Sequence, residues 1–189
     1  YRLLNSETSE FVDTILADLR SPLAKNLRDA DGNRVIPLSD ESTTPDILPG
    51  RYKQLADLIR FYEPKKILET GTWNAGRAIE MSLAAFDRTD TVHYIGYDLF
   101  EDATSTIDKE EFNVKPHNTE AAVVKRLDEF TEYVKEHNDK TFTYELHKGN
   151  VRDVLTKDIP DDIDLALIGS GNSEKTVAHE FDVLQNVPV

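Results

Sequence analysis

The residues best suited to chemistry are Glu69-Thr70-Gly71-Thr72-Trp73-Asn74-Ala75-Gly76, followed 22 residues later by Asp98. Two glycines flank a short turn. Glycine lets a backbone bend sharply and lets a ligand approach it closely. If a helix starts at Gly76, its first N–H groups have no partner within the helix and face whatever lies beyond the turn. Phosphate is one ligand class for such a loop. Gly71 and Gly76 have the spacing of a phosphate-binding loop, but Arg77 and Ala78 stand where a Lys and a Ser or Thr are required. A dinucleotide loop needs a middle glycine, and Thr72-Trp73-Asn74 supplies none. Trp73 is also bulky where a pyrophosphate would have to approach.

The elements that must position this loop follow from periodicity. Lys66–Thr70 is expected to be a short buried strand, and Ala75, Ile79, Leu83 and Phe86 mark one face of the helix after the turn. Val92–Tyr97 forms a second strand ending at Asp98. Residues 99–140 are a long connection, acidic and irregular at first, then helical with Val123, Leu127, Phe130 and Val134 on one face. Thr141–His147 is a third strand. Asp162–Ile168 is a fourth, whose near-continuous apolar run suits burial on both faces. Val177, Phe181 and Leu184 mark a last helix. Before the loop, Leu55, Leu58, Ile59 and Tyr62 predict a helix closed by Pro64. Val12, Ile15, Leu16 and Leu19 predict another, ended by Ser21-Pro22, with a loop over 29–50 between the two.

Strands alternating with helices predict an α/β fold, a Rossmann-like three-layer sandwich around a mainly parallel sheet. Residues 1–50 are expected to be a helix-and-loop extension. Residues 51–189 are the ligand-binding domain, with 99–140 as an insertion. Ligands of such sheets lie beyond the carboxyl ends of the strands. Those ends are Glu69–Gly76, Asp98–Phe100, Gly149–Val151 and Gly169–Asn172.

At those ends the residues suit S-adenosylmethionine. An acid closing the first strand attracts an ammonium group, and Gly71 lets an amino-acid moiety lie on the backbone. Asp98 accepts hydrogen bonds from two ribose hydroxyls. The same segments carry a resemblance. Glu69–Gly76 resembles motif I of class I S-adenosylmethionine-dependent methyltransferases, and Tyr97-Asp98-Leu99-Phe100 resembles their second motif. His147–Asp153 resembles the segment that contacts adenine, and Asp164–Phe181 resembles their fourth strand and following helix. The resemblance spans about residues 52–187 and is strongest to small bacterial and phage enzymes whose fourth strand ends in Ile-Asp-Gly-Gly-His-Ser.

It implies cofactor binding by Glu69, Gly71, Thr72, Trp73, Asn74, Gly76, Asp98, Leu99, Phe100, Asn150, Val151 and Gly169. It also implies O-methylation, with a hydroxyl of a small molecule or sugar as the methyl acceptor. Where that motif has Asp and His, this chain has Gly169 and Asn172. The first is a metal ligand in metal-using relatives and the second a plausible base in others. No metal is therefore expected, and no catalytic base is identified. The family's remaining strands would begin near Val187-Pro188-Val189. Two other readings stand beside this one: a cofactor-binding or structural protein that has lost its chemistry, and a nicotinamide dehydrogenase.

Composition narrows the field. Of 189 residues, 36 are Asp or Glu and 22 are Lys or Arg, giving a net charge of −14. No cluster of four basic residues is present to neutralise phosphates, which argues against nucleic acid as a partner. No apolar run is long enough for a membrane helix. There is no cysteine, so disulfides, thiolate metal sites and thiol catalysis are excluded. A cytoplasmic location is expected. The five histidines show no metal spacing, though His117 beside Pro116 falls in a possible lid. The acidic stretch Glu101–Glu111 is expected to be a solvated face.

Overall fold

The computed structural model describes residues 50–187 apart from 138 and 158. The helix expected at 12–19, the loop over 29–49 and the proposed 1–50 extension, except Gly50 itself, lie outside the described residues.

A helix, α1 (Gly50–Tyr62), leads into strand β1 (Lys66–Thr70). Helix α2 (Gly76–Ala85) and strand β2 (Thr91–Asp98) follow. A 3-10 turn over Phe100–Asp102 precedes helix α3 (Ser105–Glu110) and the long helix α4 (Glu120–His137). Strand β3 (Thr141–Lys148), the single turn α5 (Val151–Val154), strand β4 (Leu165–Leu167) and helix α6 (Glu174–Leu184) complete the order. The sheet runs β3-β2-β1-β4 with every pairing parallel, as alternation of strand and helix predicts.

Both faces of the sheet are covered because successive strand residues point to opposite sides. Ile67, Val92, Tyr94 and Phe142 pack with residues of α1, α2 and α4, including Ile59, Ile79, Met81, Leu127 and Phe130. Their neighbours Leu68, Ile95 and Tyr97 face the other way and meet Val151, Leu155, Val183 and Leu184. All of α2 except Arg77 is buried, which explains its run of Ala and other small or apolar side chains.

Two expectations need correction. The fourth strand covers three residues rather than seven, and none of them is fully buried. It hydrogen-bonds to β1 on one side and has no second neighbour among the described residues, so it is a partly exposed edge. The first part of the 99–140 connection is not irregular throughout. It contains α3, whose N-terminus is capped by the Thr104 side chain accepting from Ile107 N at 3.3 Å.

Candidate functional site

The turn after β1 is built from left-handed backbone. Gly71 has φ +83°, Trp73 φ +52° and Ala75 φ +63°. Non-glycine residues hold such angles only when their surroundings enforce them. Here the enforcement is visible. Trp73 N donates to Asp98 Oδ2 at 2.8 Å, Gly71 N donates to the Tyr97 carbonyl at 2.7 Å, and Gly76 N donates to Asn74 Oδ1 at 2.9 Å. The other oxygen of Asp98 accepts from Phe100 N at 2.7 Å, and its carbonyl accepts from Gly149 N at 2.9 Å. Asp98 thus ties three strand tips together, while each carboxylate oxygen keeps lone-pair capacity for a further donor.

A cavity of about 860 Å³ opens at these tips. Gly71, Trp73 and Arg77 line it from the β1–α2 turn, Asp98 and Leu99 from β2, and Gly149, Asn150 and Val151 from β3. Gly169–Asn172 line it after β4. Asn150 caps α5 by accepting from Arg152 N at 3.1 Å. The structure therefore gathers eight of the twelve expected residues closely around one opening: Gly71, Trp73, Asp98, Leu99, Asn150, Val151 and Gly169 on its wall, with Asn74 bracing the turn beside it.

Glu69, Thr72, Gly76 and Phe100 are not brought to that wall. Phe100 is in the core. Thr72 is buried, its hydroxyl 3.1 Å from Tyr94 Oη. Glu69 is fully buried beneath the turn, where Tyr94 Oη donates to it at 2.6 Å and Arg77 Nε lies 2.7 Å away. Burial pushes the Glu69 carboxyl up to about 7 despite the opposing pull of Arg77 and Tyr94. The acid expected to meet a ligand's ammonium is thus screened from the cavity by its own cation.

Sequence reasoning missed Arg77 as a site residue. Its guanidinium lies on the cavity wall, and Nη2 donates to the Gly71 carbonyl at 2.8 Å. Its position, in the first turn of the helix that follows a strand-ending acid, was the available signal. Glu111 was also missed. It is not a solvated residue but 8% exposed. Its carboxylate accepts from Thr176 Oγ1 at 2.6 Å and Ser173 N at 3.2 Å, and its carbonyl accepts from Asn172 Nδ2 at 3.1 Å. Burial raises the Glu111 carboxyl, but those donors outweigh it and hold the group below its ordinary value. Nearby, Ser170 Oγ donates to buried Glu180 at 2.5 Å, and Gly169 N donates to Thr70 Oγ1 at 3.0 Å.

A strap over residues 113–118 forms another part of the wall. Trp73 Nε1 donates to the Pro116 carbonyl at 2.9 Å, and Lys115 Nζ sits 4.9 Å from the Trp73 ring centroid. His117 Nε2 lies 2.7 Å from Asp108 Oδ1. Trp73, expected as a cofactor-binding residue, lines the cavity and also fastens the strap to the turn. Among the described residues, no group of three or more acids or histidines is arranged to hold a metal, and no helix is long and apolar enough to cross a membrane.

No family model matches the chain, and no curated protein matches it. Among solved structures, the SAH-bound methyltransferase PaMTH1 of Podospora anserina aligns with 97% of this chain at 14% identity and a TM-score of 0.46. The alignment covers 57% of that protein, so this chain spans little more than half its length. A likeness of that degree carries no argument about binding or activity. The α/β architecture rests on the parallel sheet and its two helical layers.

Proposed function

We propose that this chain binds S-adenosylmethionine across the tips of β1, β2 and β3 and transfers its methyl group to a small-molecule hydroxyl. The observation that carries the proposal is the Asp98 carboxylate. It is fixed by two backbone N–H groups on the wall of a cavity of about 860 Å³, within the size range of small-molecule sites. A pre-oriented carboxylate with spare lone pairs suits a vicinal diol such as ribose. Leu99 and Val151 offer apolar surface for a base on either side of that point, and Asn150 offers an amide at its edge.

The residues fit the cofactor, with one reassignment. Arg77, rather than Glu69, faces the cavity beside Gly71 and suits the carboxylate of the amino-acid end. When bound, the cofactor supplies an activated methyl group as a sulfonium. The chain's contribution is alignment: Asp98 holds the ribose at the ligand's centre, Arg77 its amino-acid end, and the strap forms the adjoining wall.

A second reading, a cofactor-binding protein without turnover, is favoured by Asn172. Its amide is engaged by the Glu111 carbonyl, so the β4 tip is put to structural use. Calorimetry followed by a radiolabelled methyl-transfer assay separates the two. S-adenosylhomocysteine should bind the parent, and Asp98→Ala should weaken binding by tenfold or more, since a charge-assisted hydrogen bond contributes about 1.5–3 kcal/mol. Equal binding by Asp98→Ala would remove the proposal. Binding without transfer to any hydroxyl acceptor would leave the second reading.

A further inference from the structure

Methyl transfer to a hydroxyl needs a group that takes the proton, and neither Gly169 nor Asn172 offers one. We infer that His117, held by Asp108, is the general base of this site. The inference rests on the function proposed above and names the group that reading lacks.

The geometry is as follows. His117 lies on the wall of the same cavity as Gly71, Asp98 and Gly169. Its Nε2 is 2.7 Å from Asp108 Oδ1. Asn113 Nδ2 donates to that same oxygen at 2.9 Å and lies 3.2 Å from His117 Nε2. Two donors converging on one carboxylate oxygen assign the proton to Nε2. The free lone pair is then on Nδ1, which has no partner among the described residues. A carboxylate on one imidazole nitrogen fixes the ring, selects the tautomer and stabilises the imidazolium that forms when the other nitrogen takes a proton. The hydrogen bonds from Asn113 and His117 hold the Asp108 carboxyl below its ordinary value, so it is ionised at neutral pH. The strap carrying His117 is fastened next to Asp98, because Pro116 accepts from Trp73 Nε1 and the Trp73 backbone binds Asp98.

The step balances without a metal. The acceptor O–H bond breaks and its proton passes to His117 Nδ1. The oxygen forms a bond to the methyl carbon, and the methyl–sulfur bond breaks with its electron pair left on sulfur. The products are a methyl ether, S-adenosylhomocysteine and an imidazolium that returns its proton to water. Asp108 is a positioning residue in this scheme.

Other charges bear on the imidazole. Asp108 on α3 touches it. Lys115 on the strap is drawn over Trp73, and Arg77, Asp98 and Glu111 line the same cavity. The sulfonium adds one charge that S-adenosylhomocysteine lacks. A positive charge in the same cavity disfavours a second one on the ring, so the sulfonium lowers the imidazole pKa relative to the S-adenosylhomocysteine complex.

The test is an NMR titration of the full chain, with the His117 ring signal assigned by its loss in His117→Gln. The His117 pKa should be lower in the S-adenosylmethionine complex than in the S-adenosylhomocysteine complex by at least about half a unit. Asp108→Asn should slow methyl transfer to a hydroxyl acceptor, because the imidazole loses the partner that orients it. Equal His117 values in the two complexes, with both ligands bound by calorimetry, would overturn this inference and leave the cofactor reading intact. His117→Gln transferring methyl as fast as the parent to a hydroxyl acceptor would also overturn it. Failure of both ligands to bind would instead remove the cofactor reading, and this one with it.

Discussion

Glu69 and Asp98 are both acids at strand ends, yet burial sends them to opposite tasks. Asp98 stays at the cavity and is positioned by backbone donors. Glu69 lies beneath the turn, where its carboxyl is pushed up to about 7. A raised carboxyl means the folded state binds the proton more tightly than the unfolded state. Stability from this group is therefore present below about 4.5 and is lost as pH rises to about 7. The loss is on the order of 3 kcal/mol. Glu69→Gln should flatten the pH dependence of urea unfolding between pH 4.5 and 7.5; an unchanged slope would show that Glu69 is ionised throughout. Gly169 makes a second residue-scale case. A Cβ there would stand 3.3 Å from both terminal nitrogens of Arg77. In Gly169→Asp the new carboxylate should pair with that cation rather than with a divalent ion. Methyl transfer by the parent and by Gly169→Asp should therefore be insensitive to chelator, and loss of activity in EDTA would contradict this. The residue types at these positions are plain in the sequence. Their burial is not, because it depends on Arg77 folding back over the turn.

At the scale of elements, the turns are joined more tightly than any one motif suggests. Gly71 was expected to leave room for a ligand. In the structure, a Cβ at Gly71 would overlap the Gly169 carbonyl and lie 2.8 Å from Ser170 Cα. The glycine is needed so that the turn after β1 can pack against the turn after β4. Gly71→Val should therefore damage the fold as well as binding. The left-handed φ and the overlap together predict a loss of about 2–4 kcal/mol, read as a lowered unfolding midpoint. A variant as stable as the parent would show that the turns move apart freely. Periodicity revealed β1, β2, β3 and the helices around them because their apolar residues face a packed neighbour. It overstated β4, whose apolar run lies at an edge. It passed over α3, which is too short and too exposed to carry a periodic face, with Thr104 as the only local signal. Glu111 was hidden for a similar reason. Its partners at 172–176 lie some sixty residues away, and no local pattern marks such a contact.

Over the whole molecule, the order of elements made the parallel sheet and the location of the cavity legible, since ligands of such sheets gather at the carboxyl ends of the strands. The strap was less so, because its place follows from the Trp73–Pro116 hydrogen bond between segments 43 residues apart. Among the described residues part of the acidic surplus is engaged by cations: Lys148 at the end of β3 meets Glu101, Asp102 and Glu120 at 2.5, 3.2 and 3.9 Å. The Lys148 hydrogen bond, with backbone donors, lowers the Glu101 carboxyl to about 2. The proposed function requires one ligand lying across three strand tips with Asp98 at its centre. A crystal structure of the chain with S-adenosylhomocysteine tests this most directly. The account predicts both ribose hydroxyls within hydrogen-bond distance of the Asp98 carboxylate and the amino-acid carboxylate facing Arg77. A ligand bound elsewhere, or bound in this cavity with no contact to Asp98, would contradict it.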